Sequence, residues 1–112
     1  MAWEFDNRTP VFLQITEHIK EDILLGVYPA GSQIPPVRAL ALQAGVNPNT
    51  MQRALSQLEN DGILHTQTTT GRFVTPTAPE SLRAEATAEL VARMRLLGIT
   101  KEELLRALDK KA

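Results

Sequence analysis

The stretch Ile34–Val74 decides the fold of this 112-residue chain, and it runs IPPVRALALQAGVNPNTMQRALSQLENDGILHTQTTTGRFV. Two short segments with helical spacing of apolar residues flank the turn at Gly45, and two strand-like segments separated by a glycine follow. This order is typical of a helix-turn-helix with a wing. It indicates nucleic-acid binding rather than catalysis, because the second helix of such a unit presents its outer face to the major groove.

Composition narrows the class of protein. Hydrophobic residues make up 43% of the chain and charged residues 22%, which is typical of a globular domain. Aromatic residues are only 4%, so a stacking platform for single-stranded nucleic acid is not expected. The absence of cysteine excludes disulfides and thiolate metal sites. With no apolar run of about 20 residues and no signal peptide at the start, we expect a cytoplasmic protein without a membrane partner.

The charge balance is unusual for a DNA-binding protein. The net charge is −1, and residues 1–78 carry five basic side chains against seven acidic ones. Because affinity for random DNA depends on neutralising phosphates, we expect that affinity to be weak. Arg38, Arg53 and Arg72 all lie within the winged unit, so the local arrangement is more favourable than the total. Specific binding is therefore expected to need a dimer that doubles each contact.

Three helices are predicted in the N-terminal part. Thr9-Pro10 predicts a capped start for the first helix, Gly26 its end, and Asn47-Pro48 the start of the third. The second is expected over residues 36–43. The residues predicted to be buried are Phe12, Ile15, Ile19 and Ile23 in the first helix, Val37, Leu40 and Ala41 in the second, and Met51, Ala54, Leu55 and Leu58 in the third.

The opposite face of the third helix is polar. Its residues are Asn49, Gln52, Arg53, Ser56 and Asn60. Arginine can bond guanine through two hydrogen bonds, and asparagine or glutamine can bond adenine in the same way, each good pair contributing about 1–3 kcal/mol of discrimination. The alternative is a solvated helix face, which is the commoner situation for an isolated helix. The helix-turn-wing order favours base recognition here.

A two-stranded wing is predicted after Asp61-Gly62. The strands are expected over residues 63–67 and 72–75, around a turn at 68–71. The hydroxyls of Thr69 and Thr70 and the amide of Gly71 can donate hydrogen bonds to phosphates. Arg72 is expected to contact the DNA backbone or the minor groove. The turn is not a phosphate-binding P-loop, since it lacks the lysine-serine end and a following helix.

The run from Pro10 to Pro76 resembles the winged helix-turn-helix domain of the GntR family of bacterial transcription regulators. The matching motifs are PVFLQI in the first helix, GVYPAGSQIPPVRALA across the second, GVNPNT at the start of the third, and ALSQLENDGIL before a wing that ends in GRFV. The NPNT motif and the short C-terminal part resemble the YtrA-type subgroup. This resemblance implies a small dimeric regulator, often a repressor, with DNA contacts at Arg38 and Thr50 and the family's wing glycine at Gly71.

The chain also departs from the family pattern. Pro48 and Gln52 stand where many relatives have arginines, although the subgroup itself tends to use NPNT. Thr69 and Thr70 replace a glycine and a basic residue in the wing. We therefore expect an operator different from those of the arginine-rich members. The complete set of predicted DNA-binding residues is Arg38, Asn47, Asn49, Thr50, Gln52, Arg53, Thr69, Thr70, Gly71 and Arg72.

The C-terminal part predicts two amphipathic helices. Gly98 is expected to end the first, and Thr100 with Glu103 forms a capping box for the second. The predicted apolar stripe, interpreted as a dimerisation surface, comprises Leu82, Ala86, Leu90, Met94, Leu97, Leu104, Leu105 and Leu108. A second copy of the chain is the expected partner. The alternative is that the tail folds back on its own winged domain.

Other candidate sites are weaker. Trp3 and Phe5 are expected to pack at the start of the first helix or against a partner chain. His18 and His65 lack metal-ligand spacing, so no metal site and no cofactor are predicted. The carboxylates Glu17, Glu21 and Asp22 are spaced along one helix, as on a solvated face. The sequence offers no nucleophile–base pair and no set of metal ligands, so we do not expect an enzyme.

The sequence thus predicts a mainly α-helical protein with two parts. Residues 1–78 form a winged helix-turn-helix of three helices and a two-stranded wing, and residues 79–112 form a two-helix dimerisation tail. The expected partners are double-stranded operator DNA and a second copy of the chain. A small-molecule effector at the dimer interface or domain junction stays open, as does regulation by abundance alone. The alternative function is a winged-helix module that binds other proteins and not DNA.

Overall fold

The computed structural model describes residues 2–67 and 69–110. In chain order the elements are α1 (Val11–Leu24), α2 (Val37–Ala44), α3 (Pro48–Asn60), β1 (Leu64–Gln67), β2 (Gly71–Val74), α4 (Ala78–Leu97) and α5 (Lys101–Asp109). The predicted mainly helical fold with a two-stranded wing is confirmed. The chain forms two compact units, Met1–Glu80 and Ser81–Ala112.

The core of the first unit is aliphatic, and α1 and α2 both pack against α3. The helical spacing of apolar residues predicted most of this core, because the predicted apolar faces of α1, α2 and α3 all point inward. Ile15, Ile19, Leu40, Met51 and Leu55 are completely inaccessible to solvent. Phe12 and Val37 were also predicted to be buried, but each is only half-buried because it lies in the first turn of its helix, at the edge of the core.

The starts of the first two helices differ by one residue from the prediction. Pro10 occupies the N-cap position of α1 with an extended ψ of 141°, so Thr9 lies one residue too early to cap it. Pro36 likewise precedes α2, with ψ 160°. The backbone there is still extended because the amide of Ile34, two residues earlier, donates to the Arg72 carbonyl in the wing. A helix can begin only after this pairing ends.

The wing is an antiparallel hairpin in which Leu64 pairs with Val74 and Thr66 pairs with Arg72. Strand β1 begins one residue later than predicted, because Ile63 lies just outside the ladder. Strand β2 is shifted by one residue towards the N-terminus, since it begins at Gly71 and Thr75 lies outside it. The segment before α2 adds to the free edge of β2 through a bridge between Gln33 and Phe73. Strand β2 therefore has a paired neighbour along both edges, β1 on one side and the segment before α2 on the other.

In the second unit, α4 ends as predicted at Gly98, which has φ 68°. The amide of Ile99 donates to the Met94 carbonyl, as in a Schellman motif. The capping box of Thr100 and Glu103 at the start of α5 is confirmed by reciprocal side-chain and backbone hydrogen bonds. Among the described residues, no helix is both long enough and apolar enough to cross a membrane.

Candidate nucleic-acid interface

The outer face of α3, defined by Asn49, Gln52, Arg53, Ser56 and Asn60, is open to solvent. Four of these residues are exposed and Ser56 is half-buried, while the opposite face of the same helix is completely buried. The helix therefore has one side fixed to the core and one polar side free. Gln52 donates to the Ser56 hydroxyl at 3.1 Å, which orders two of these side chains along the helix.

Asn47 sets the start of α3. Its side-chain oxygen accepts a hydrogen bond from the Asn49 amide at 2.8 Å, and Pro48 follows in the first helical position. Gly45 makes the preceding turn in the left-handed region, with φ 74°. Asn47 was predicted as a DNA contact, and its side chain is occupied as a helix cap. Thr50 is half-buried in the first turn beside it.

Arg53 lies over an aromatic ring. Its guanidinium carbon is 3.9 Å from the centre of the Phe12 ring, which places a cation–π contact between α3 and the start of α1. An open groove of about 400 Å³ lies here, lined by Pro10, Val11, Phe12, Asn49, Thr50 and Arg53. The groove joins the start of α1 to the first two turns of the outer face of α3.

Arg38 stands exposed in the first turn of α2. Nearby, the residues just before α2 and the tip of the wing line a second groove of about 290 Å³, which includes Gln33, Val37, Thr70 and Arg72. The structure thus brings the start of α2 and the wing tip to one groove.

The wing tip presents Thr69, Thr70 and Gly71 to solvent. Thr68, which was predicted to open the turn, lies outside the described residues. Gly71 adopts φ +109°, and a Cβ at this position would approach the side-chain nitrogen of Gln33 to 2.8 Å. That nitrogen donates a hydrogen bond to the Thr70 carbonyl. The backbone conformation therefore favours glycine at position 71, and a larger residue there would also displace the end of the Gln33 side chain.

Arg72 is paired with a carboxylate of α3. Its Nε donates to Glu59 at 2.5 Å, and the Thr66 hydroxyl donates to the other Glu59 oxygen at 2.7 Å. Burial raises the pKa of Glu59, but the two hydrogen bonds and the charge of Arg72 outweigh it and leave that pKa below its ordinary value. The cation predicted to contact DNA is held, in the protein alone, on the end of α3.

Sequence inspection missed Phe12 as a neighbour of Arg53, Gln33 as a support of the wing tip, and Glu59 as the partner of Arg72. Phe12 was assigned only to the core. The other two are ordinary polar residues whose partners are 37 and 13 positions away, so no local pattern marks them.

The N-terminal segment is fixed to the helical body. The Trp3 ring stacks on His18 with centres 3.7 Å apart and planes 8° apart, and the Trp3 amide donates to the Ala44 carbonyl. His18 in turn lies 3.4 Å from the Asp22 carboxylate. Trp3 is therefore a structural contact of α1. Within the described part of the chain, no three His, Cys, Asp or Glu residues are grouped as a metal site would require.

The sequence of the winged unit matches a known protein family. Residues 12–74 match the family described as "Bacterial regulatory proteins, gntR family". The chain belongs to the gntR family. The matched range covers α1, α2, α3 and the wing, so it includes every predicted DNA contact of this gntR-family protein.

The similarity to individual regulators continues beyond the winged unit into the C-terminal unit. The chain is 36% identical over 108 residues to the Bacillus subtilis regulator YhcF, covering 91% of this chain and 89% of that protein. It is also 36% identical over 76 residues to the Bacillus subtilis transcriptional repressor YtrA, covering 68% of this chain and 58% of that protein. The resemblance to YtrA noted in the sequence is confirmed.

Solved structures of transcriptional regulators have the same fold. A GntR-family transcriptional regulator from Listeria monocytogenes has a TM-score of 0.81 and 34% identity, covering 96% of this chain and all of that one. The DNA-binding domain of AraR, solved in complex with operator ORX1, has a TM-score of 0.60 and 27% identity, covering 67% of this chain and 99% of that one. This gntR-family chain is therefore a DNA-binding transcriptional regulator.

The second unit of this gntR-family protein exposes apolar side chains. Leu90 and Leu97 in α4 are each 57% exposed, and Leu105 and Leu108 in α5 are 47% and 69% exposed. Ala86 is exposed, and Met94 and Leu104 are half-buried. Leu82 was also predicted to belong to the dimerisation surface, but it is already buried within the single chain and is not among these exposed side chains.

Proposed function

We propose that the protein is a transcriptional repressor that binds a palindromic operator as a homodimer. The observation that carries this proposal is the outer face of α3, which is polar, exposed and fixed from behind by a completely buried apolar face. A helix held in this way can enter the major groove without deforming the core. The family supports DNA as the partner.

The proposed division of contacts follows from chemistry. Asn49, Gln52 and Arg53 have side chains that can bond base edges, and Arg38 and Thr50 can bond phosphates. At the wing, Thr69, Thr70 and the Gly71 amide are the proposed phosphate contacts. Asn47 contributes by capping α3, so that Pro48 and Asn49 are presented at the end of the helix that meets the DNA.

The proposed dimer rests on apolar side chains that α4 and α5 leave wholly or partly uncovered. These side chains are Ala86, Leu90, Met94 and Leu97 in α4, and Leu104, Leu105 and Leu108 in α5. Full burial of an exposed leucine contributes about 1.5–3 kcal/mol, so covering these leucines, which are about half exposed, contributes roughly half of that for each one. A second copy offers an identical face, so two-fold association covers both. The net charge of −1 gives the dimer a further role, since weak affinity for random DNA makes doubled specific contacts necessary.

The proposed activity is regulation of transcription and involves no catalysis. Two modes of regulation are proposed, namely a small-molecule effector that binds at the dimer interface, and regulation by the abundance of the protein alone. The operator-bound AraR domain supports the DNA-binding part of the proposal, and the named repressor YtrA supports repression.

Selection from a randomised duplex library tests the function. The full chain, at about 150 mM salt, is expected to enrich an inverted repeat whose half-sites lie about one helical turn apart. Added to a transcription reaction, the chain should then reduce transcription from a promoter carrying that duplex. Enrichment of no inverted repeat would contradict the proposal and favour the protein-binding module.

A matched pair of variants controls the selection. Arg53→Ala removes a cation from the outer face of α3, and Lys20→Ala removes one from α1, where Lys20 lies 3.6 Å from Glu17. The first should weaken binding to the selected duplex and the second should not. Equal effects would mean that only total charge matters.

A further inference from the structure

One carboxylate joins α3 to both strands of the wing. Glu59, in the last turn of α3, accepts hydrogen bonds from Arg72 on β2 and from Thr66 on β1. Thr66 and Arg72 are directly paired across the hairpin, so their side chains lie on the same face of the sheet. The two Glu59 oxygens therefore bind two facing positions of the ladder at once.

This contact is more enclosed than an ordinary surface ion pair. The side chains of Arg72 and Glu59 are 19% and 28% exposed. Exposed ion pairs usually contribute little, whereas a pair that is mostly shielded and shares a third hydrogen-bond partner is held in one geometry. The pair therefore adds a side-chain link between α3 and the hairpin to the backbone pairing of β2 with the segment before α2.

We propose that Glu59 is a positioning residue for DNA binding, which fixes the wing against α3 through Arg72 and Thr66, and that Arg72 serves as its structural partner rather than as a phosphate contact. This inference rests on the proposed function, because it concerns how the wing and the outer face of α3 meet one duplex together. It assigns the phosphate contacts of the wing to its tip, at Thr69 to Gly71.

Electrostatics alone predicts the opposite effect of removing Glu59. A carboxylate near DNA repels phosphates, so its neutralisation should strengthen binding. Asp61 provides the matched control, since it lies two residues further along, is exposed, and accepts only from Gln57 among the described contacts, at 3.1 Å. Glu59→Gln and Asp61→Asn each remove one negative charge from the same end of α3.

Binding of the two variants to the duplex selected by the wild-type protein tests the proposal. Glu59→Gln is expected to bind about fivefold more weakly or worse, as contacting residues are coupled by about 0.5–3 kcal/mol. Asp61→Asn is expected to bind equally well or more tightly. If Glu59→Gln also bound equally well or more tightly, the proposal would be overturned.

The role of Arg72 is tested by salt dependence. Arg72→Gln should reduce affinity about as much as Glu59→Gln does, the double variant should bind only slightly more weakly, and the dependence of log K on log salt should keep its slope. If Arg72 neutralised a phosphate, its removal would instead lower the magnitude of that slope by about 0.9. A reduced slope would therefore overturn the assignment of Arg72.

A measurement without DNA separates this inference from the proposed function. Trypsin cleaves after arginine, and cleavage after Arg72 requires the wing to open. In Glu59→Gln, cleavage after Arg72 should accelerate relative to cleavage after Arg53 in the same chain, and in Asp61→Asn this ratio should stay at the wild-type value. An unchanged ratio in Glu59→Gln overturns the proposal even if the wild-type protein selects an operator. If the wild-type protein selects none, the proposed function fails while the proteolysis still tests the contact.

Discussion

The guanidinium carbon of Arg53 lies 3.9 Å from the centre of the Phe12 ring, so the first turn of α1 holds a cation that belongs to the outer face of α3. Both residues line the same open groove. The direction of a proposed base contact is therefore set partly by a residue of another helix.

Phe12→Leu should weaken binding to the selected operator about two- to fivefold, because an exposed cation–π contact contributes about 0.5–1 kcal/mol. Phe12→Tyr keeps the ring and serves as the control. Titration of a labelled duplex measures both variants. Equal affinity of Phe12→Leu and the wild-type protein would show that the ring does not orient Arg53.

Asn47→Ala should lower the free energy of unfolding by about 1 kcal/mol, since it removes the side-chain cap of α3. Asn47→Asp keeps a capping oxygen and should retain the stability. Asn49→Ala is the matched control, because Asn49 contributes only its backbone amide to the cap. Denaturant titrations compare the three variants, and a loss of stability in Asn49→Ala equal to that in Asn47→Ala would contradict the capping role.

Arg38→Ala and Gln52→Ala should differ in kind. Removal of a phosphate contact at Arg38 should weaken binding to all sequences and lower the salt slope by about 1. Removal of the Gln52 side chain should relax the preference at one base position of each half-site, by about 1–3 kcal/mol. Affinities for a panel of single-base operator variants separate the two. The same uniform weakening in both variants would exclude this division.

Leu90→Glu combined with Leu97→Glu should convert the proposed dimer to a monomer, because two charges would then be buried where these exposed leucines are proposed to pack against a second copy. Operator affinity should fall with it, since the half-sites are no longer held together. Leu96→Glu is the control, as Leu96 is exposed but lies off the predicted stripe. Sedimentation measures the mass, and a double variant that stayed dimeric would place the interface elsewhere.

Acid should weaken the wing through Glu59. Because the pKa of this carboxyl in the folded protein lies below its ordinary value of 4.5, its contribution to stability is present above that value and is lost as the pH falls through the lowered pKa. The stability difference between the wild-type protein and Glu59→Gln should therefore shrink below about pH 4.5. Unfolding titrations from about pH 7 to about pH 3 measure it, and a difference independent of pH would contradict the ionised pair.

Local signals predicted most of the helical framework. Asn47-Pro48 starts α3, Thr100 and Glu103 start α5, and Gly98 ends α4, and each of these signals involves only residues that are a few positions apart in the sequence. The predicted starts of α1 and α2, at Pro10 and Pro36, were each one residue too early. For α2 the cause is the hydrogen bond between Ile34 and the wing, which cannot be predicted from the residues around Pro36 alone.

What the sequence by itself determined is the order of elements, the buried faces and the polar outer face of α3, because capping and helical periodicity act over three or four residues. Only the tertiary structure decided which polar groups meet. Glu59 with Arg72, Gln33 with Thr70 and Phe12 with Arg53 are brought together by packing between distant segments. Such partners depend on where α3 and the wing lie in space, and a linear pattern of residue types does not record that position.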